Sequence, residues 1–329
     1  MAISAVGLQT AIWNNNLRSL LLLAGYPFLL CLLVYAGGVL AFMGGAGTSD
    51  WQSASEAGFH ALSQYGPVAL AVALAWFAIA YFFNQSMVRA ATGARTVTRA
   101  EMPTLYNMVE NLCIARGVPT PQIQIIDTPQ LNAFASGLSE KNATITFTRG
   151  IIDNLAPDEL EAVAAHELTH ILNRDTRLML VAIIFAGMFS FLAQMAWRSL
   201  HFRGGRQRDG RMMIIGIVLV TIGYVLSILI QFALSRRREY MADQGSIELT
   251  KNPESMMRAL LRLQGRSAMP EATEDARQMM LDNSLPYFGL FATHPSIEDR
   301  VRLISQLTHT PIPGEALPAK PASPRSPWT

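Results

Sequence analysis

Four stretches of this chain carry no charged residue: 19–43, 67–88, 178–197 and 212–234. Each reaches the roughly 20 residues that an α-helix needs to cross the hydrocarbon core of a bilayer. Hydrocarbon offers no partner for backbone polar groups, so such stretches are restricted to helices. The composition agrees. The chain is 50% apolar and only 15% charged, against about 25% charged in an ordinary soluble domain. The first run is too long for the core of a cleaved signal peptide, and Gly44-Gly45-Ala46-Gly47 is a weak cleavage site, so it reads as a retained membrane helix. Pro27 inside it is tolerable in lipid.

Charge around the runs bears on orientation. The connection 44–66 carries Asp50 and Glu56 but no lysine or arginine, whereas Arg18, Arg89, Arg95 and Arg99 flank the first two runs on the other side. The positive-inside rule puts those arginines, and the soluble region that follows, in the cytoplasm. The second pair of runs gives no such bias. Arg198, Arg203, Arg206, Arg208 and Arg211 lie between its members, and Arg174, Arg177, Arg236, Arg237 and Arg238 lie outside them. That pair either spans or forms a hairpin that dips into the membrane. A net charge of +2 and the lack of any nucleic-acid-binding motif exclude nucleic acid as a partner. Cys31 and Cys113 sit among apolar residues and suggest neither a disulfide framework nor a cysteine metal site.

The soluble stretches alternate helix and strand signals. Leu105, Met108, Val109, Leu112 and Cys113 form an apolar stripe over 100–116, with Gly117 as a stop. Residues 122–127 read as a short strand and 131–137 as an extended or irregular stretch. Thr144-Ile145-Thr146-Phe147-Thr148 alternates strictly and reads as a half-exposed strand. Pro157, followed by Asp158, Glu159 and Glu161, opens a helix. Asn252-Pro253-Glu254 opens another, and a last amphipathic helix follows Pro295. The polar residues 266–285 read as a mobile loop, and the Pro-rich residues 309–329 as disordered.

Within the helix opened by Pro157 lies His166-Glu167-Leu168-Thr169-His170. Histidines four apart share one helical face and can present both imidazoles to one metal ion, and Glu167 can then serve a metal-activated water as a base. The bland alternative is a helix with two hydrogen-bonded histidines. A catalytic zinc site needs at least one more protein ligand. Glu239 and Asp243 lie four apart on one helical face. They are either a ligand and the carboxylate that braces a ligand histidine, or solvated charges facing the three neighbouring arginines.

HELTH at 166–170, an apolar pair of segments, SRRREYMAD at 235–243 and THPSIEDR at 293–300 occur in this order. Together they resemble the HtpX-type membrane zinc metalloproteases, gluzincins related to the CAAX prenyl-peptide proteases. The resemblance implies one Zn2+ per chain, held by His166, His170 and Glu239, with Glu167 as general base. It gives Asp243 as the bracing carboxylate and His294 as a second catalytic residue that stabilises an oxyanion. Asn132 and Gly137, in an N-A-x-x-x-G stretch, and Arg300 are implied on the substrate side. His60, His201 and His309 match nothing in the pattern.

The expected fold is a mainly α-helical membrane protein with a small α+β metalloprotease domain, its short β-sheet packed beside the HELTH helix. The expected units are an N-terminal membrane pair at 1–88, a protease part at 89–177, an apolar hairpin at 178–234, a second protease part at 235–308 and a tail at 309–329. The expected activity is zinc-dependent endopeptidase action in membrane-protein quality control. The chain would be a multi-pass protein of the cytoplasmic (inner) membrane, with its catalytic part in the cytoplasm. Substrates would be unfolded or membrane proteins, lying extended beside the strand at 143–148. A dedicated processing protease, or a non-catalytic membrane scaffold keeping the fold, are the alternatives.

Overall fold

A computed structural model describes residues 8–46, 50–181, 183–184, 222, 236–264, 266 and 295–314. The expectations for the second apolar pair, the loop 266–285, His294 and most of the tail fall outside these residues, wholly or nearly so.

The chain begins with two long antiparallel-packed apolar helices, α1 (Leu8–Ala46) and α2 (Trp51–Thr92). Asp50 caps α2 by accepting from the backbone N–H groups of Gln52 and Ser53, and Gly93 ends it in the left-handed conformation. The connection expected at 44–66 is therefore short. Its second half continues α2 as helix instead. The 42 residues of α2 make it about 63 Å long, twice the thickness of the hydrocarbon core, so one end projects well beyond the bilayer. Large apolar side chains face outward on both helices: Phe28 is 72% exposed and Phe82 77%. A helix in a soluble core would bury them. These are membrane helices, exposed to lipid rather than water.

Beyond α2 the chain forms a four-stranded sheet in the order β1-β2-β4-β3: β1 (Arg95–Thr96), β2 (Gln122–Ile126), β3 (Ala133–Ser136) and β4 (Thr144–Thr148). β4 runs parallel to β2, with Ile123 opposite Ile145, and antiparallel to β3, with Ala135 opposite Ile145. β4 is interior, so no added strand can pair with it; the edges are β1 and β3, and among the described residues no further strand pairs with β3. All five residues of β4 are buried, not half of them. The reason is that both faces of the sheet are covered. Ile145 and Phe147 point into the main core. On the other face Ile126 and Phe134 pack with Val88 of α2 and Leu180, while Thr144 Oγ1 donates to Gln85 Oε1 of α2 at 3.0 Å.

The main core joins that sheet to five helices: α3 (Pro103–Arg116), the short α4 (Arg149–Asn154), α5 (Pro157–Leu172), α7 (Pro253–Leu263) and α8 (Ile297–Thr308). Helix α6 (Arg236–Thr250) packs along α5. Gly117 closes α3 at φ 68°, as its position predicts. The last turn of α5 gives way to Asn173 and to Arg174, which holds φ 60°, and the chain is helical again over 175–181.

Candidate active site

Helix α5 carries HELTH through the centre of the core. His166 and Glu167 are buried, and His170 is slightly open to solvent. Two small residues let α6 approach. A Cβ on Gly245 would collide with the Thr169 side chain, and Ser246 donates its hydroxyl to the Ala162 carbonyl at 2.6 Å. This close contact brings Glu239 and Asp243, one turn apart on α6, against the histidine face of α5.

The two Nε2 atoms lie 3.1 Å apart. Glu239 Oε2 is 3.7 Å from His166 Nε2, and its Oε1 is 3.6 Å from His170 Nε2. Ligand atoms of the three residues all lie within 4.8 Å of one another. Two nitrogen ligands on one tetrahedral zinc, each at about 2.0–2.1 Å, would be separated by about 3.3 Å. The spacing fits a single ion.

Each ring is turned by a carboxylate on its far nitrogen. His166 Nδ1 is 3.0 Å from Asp243 Oδ1, and His170 Nδ1 is 2.9 Å from Asp175 Oδ2. Both Nε2 atoms face Glu239; the hydrogen bond from Asp175 sets the tautomer of His170, while Asp243 lies beside His166 Nδ1 without hydrogen-bond geometry. Arg300 of α8 grips Asp243 with a two-pronged fork, Nε to Oδ2 at 2.9 Å and Nη2 to Oδ1 at 2.6 Å, and its Nη1 is 3.7 Å from Glu239. A planar guanidinium suits this bidentate role as a lysine would not.

The electrostatics point the same way. Glu167, Asp175, Glu239 and Asp243 are four buried carboxylates; the guanidinium of Arg300 faces Asp243 and Glu239, and Arg238 of α6 is also buried. Buried charge of one sign has to be matched, and a divalent cation at the three ligand atoms supplies the match. Burial disfavours the charged Asp243 carboxylate, but Arg300 and His166 hold its carboxyl below the usual range. Burial likewise opposes charge on the His166 ring, yet Asp243 and Glu239 push its pKa up to about 9 in the metal-free protein. Burial raises the Glu167 carboxyl, with the two imidazoles acting against it. Glu167 also accepts the backbone N–H of Ala135, on the free edge of β3. The carboxylate therefore links the ligand face of α5 to the outer edge of β3.

The model of peptidase family M48 matches residues 99–308, which contain every element of this site. The chain belongs to peptidase family M48. It is 40% identical over 321 residues to a Bacteroides fragilis protein named Protease HtpX homolog, across 92% of this chain and 99% of that one. It is 34% identical over 239 residues to a protein of the same name from Streptococcus equi subsp. equi, across 69% of this chain and 80% of that one. The crystal structure of S. mikatae Ste24p matches with a TM-score of 0.44 at 19% identity, over 89% of this chain and 66% of that chain.

In this M48 metalloprotease the structure brings together His166, Glu167, His170, Glu239 and Asp243, as the spacing and the resemblance led one to expect. Glu239 and Asp243 are both buried, so neither is a solvated charge. Arg300 sits elsewhere than on the substrate side. It is buried, and braces Asp243 from behind. Asn132 and Gly137 flank β3 rather than line the ligand cluster. Asn132 is buried, exchanges bonds with Thr148 and caps the Ala133 N–H with its own Oδ1. Gly137, at φ 131°, turns the chain where a Cβ would strike the Asn142 carbonyl. Both fix the free edge in place. His294 lies outside the described residues.

The sequence reading missed Asp175. No spacing rule marks it, since Arg174 and Arg177 lie beside it and charges at the entrance to an apolar run are ordinary.

Proposed function

We propose that this membrane metalloprotease is a zinc-dependent endopeptidase, with His166, His170 and Glu239 as ligands and Glu167 as general base. One observation carries the reading: three ligand atoms converge within 4.8 Å, with each histidine turned by its own carboxylate. When bound, zinc supplies a Lewis acid and lowers the pKa of a water toward about 7.

The other roles belong to side chains of this chain. Glu167 takes the proton of the attacking water and returns it to the leaving amine. Burial raises its carboxyl in the metal-free protein. An extended substrate segment pairs with the outer edge of β3, displacing nothing from the interior strands. That edge passes Glu167 at Ala135, so main-chain pairing sets the scissile bond beside the base. Recognition through backbone tolerates varied side chains, which supports unfolded and membrane proteins as substrates and a quality-control role. Arg18 at one end of the first apolar run and Arg89 at the end of the second support a multi-pass protein of the inner membrane with its protease part in the cytoplasm.

The test is proteolysis of an unfolded protein by the detergent-purified, zinc-loaded chain, beside Glu167→Gln at equal zinc content. Loss of at least about 100-fold in the variant is expected for removal of a general base. Equal activity in the two would refute the assignment of Glu167.

A further inference from the structure

The residue that turns His170 is itself held by the first membrane helix. Asp175 is 2% exposed, and while its Oδ2 meets His170 Nδ1 its Oδ1 accepts from Asn15 Nδ2 at 2.6 Å. Asn15 lies on α1, four residues before the first uncharged run. It is 4% exposed and donates the same Nδ2 to the Asn173 carbonyl at 2.9 Å. Its neighbour Asn16 accepts from Arg174 Nη1 at 3.2 Å. Two successive asparagines thus clasp Asn173, Arg174 and Asp175, the turn that ends the HELTH helix.

Arg174 has φ 60°, the left-handed conformation that Lys251 and His309 also hold at helix ends. An asparagine buried beside an apolar helix is costly unless hydrogen-bonded, and both side-chain hydrogen bonds of Asn15 go to this turn. Asp243 on α6 answers His166 in the same way. The two ligand histidines are thus braced from opposite directions, one by the protease helices and the other through a membrane helix.

On the zinc reading given above, we propose that Asp175 and Asn15 are positioning residues for His170. Asp175 holds the ring in its metal-binding tautomer, and Asn15 holds Asp175, which makes α1 part of the scaffold of the metal site. Displacement of α1 along or away from α5 withdraws the brace from one ligand. Metal affinity is therefore coupled to the seating of the first membrane helix.

The experiment measures zinc affinity of the full-length chain in detergent, by competition with a chromophoric chelator, together with the visible spectrum of the Co2+-substituted protein. Asn15→Leu and Asp175→Asn keep volume and suit their surroundings. Each is expected to weaken zinc binding about 10-fold, in line with loss of a partner to a ligand histidine, and to alter the Co2+ bands. The double variant is expected to bind zinc no more weakly than Asp175→Asn alone, because Asn15 acts through Asp175. Asn15→Ser, which retains a donor, is expected to recover part of the affinity if Asn15→Leu unfolds the chain. Unchanged affinity in both single variants, or additive losses in the double, would overturn the proposal. His170→Ala is the reference: if it binds zinc as the parent does, the ligand assignment itself has failed, independently of Asn15.

Discussion

At the scale of single residues, the site is a set of polar groups that would be costly to bury one at a time. Arg300, Asp243 and His166 form a line from α8 through α6 to α5, and each neutralises or orients the next. Removing one end should be worse than exchanging the whole line. Arg300→Ala would leave Asp243 buried without its fork, at a cost of about 3–5 kcal/mol of folding stability. Chemical denaturation in detergent reads this. Arg300→Lys should recover only part of it, since one ammonium cannot reproduce the two parallel bonds. Asp243→Asn should weaken zinc binding by about 10- to 100-fold, which isothermal titration would show, and should also destabilise the fold, because it leaves the buried Arg300 guanidinium against a neutral partner. HELTH and the one-turn spacing of Glu239 and Asp243 were legible because helical periodicity alone dictates which side chains share a face. Asp175 and the place of Arg300 were not legible. Both roles depend on where separate elements cross, and spacing along one helix carries no information about that.

At the scale of elements, two close approaches decide whether the ligands meet. Gly245 lets α6 lie against Thr169 of α5. Gly245→Val should push the helices apart, costing about 1–3 kcal/mol by overpacking, and should weaken zinc binding although no ligand is touched. A metal-affinity titration beside a melting curve separates these effects. The far end of α5 is tied to α7, where Asp158 accepts from Ser255 and pairs with Arg258. Hydrogen bonding from Ser255 lowers the Asp158 carboxyl despite some desolvation, with Arg258 adding to the effect. A depressed carboxyl stabilises the fold above its unfolded pKa, near about 3.9, and loses that contribution as pH falls through the folded value. Asp158→Asn should therefore lower stability at neutral pH by no more than about 1 kcal/mol, the site being partly solvated. The difference from the parent should shrink as pH falls below the ordinary carboxylate range and through the depressed folded value. Helices α3, α5, α7 and α8 were readable from caps and apolar stripes. Strand β4 was placed correctly but misjudged as half-exposed, because the alternation of threonine with Ile145 and Phe147 looks the same whether water or the end of α2 covers the threonine face.

At the scale of the whole molecule, the membrane helices and the protease part are one packed body. Phe134 of the sheet shares a cluster with Val88 of α2, and Tyr26 and Leu30 of α1 share one with Val181. The orientation proposed above makes a direct prediction. A cysteine placed at Ser55, near the start of α2, should react with a membrane-impermeant thiol reagent in intact cells. One placed at Lys141, beside the sheet, should react only after the membrane is opened. Reaction of Lys141 in intact cells would reverse the assigned topology.

The ligand set is split along the chain. His166 and His170 are made first, and Glu239 follows only after the two uncharged segments at 178–197 and 212–234. During synthesis, then, the catalytic helix exists for a time without its third ligand and without Asp243. The cluster is complete only when α6 lies against α5. A copy cut short before Glu239 carries the two histidines without the carboxylates that face them. The order of residues along the polypeptide therefore makes the cluster a late product of synthesis, after both apolar segments.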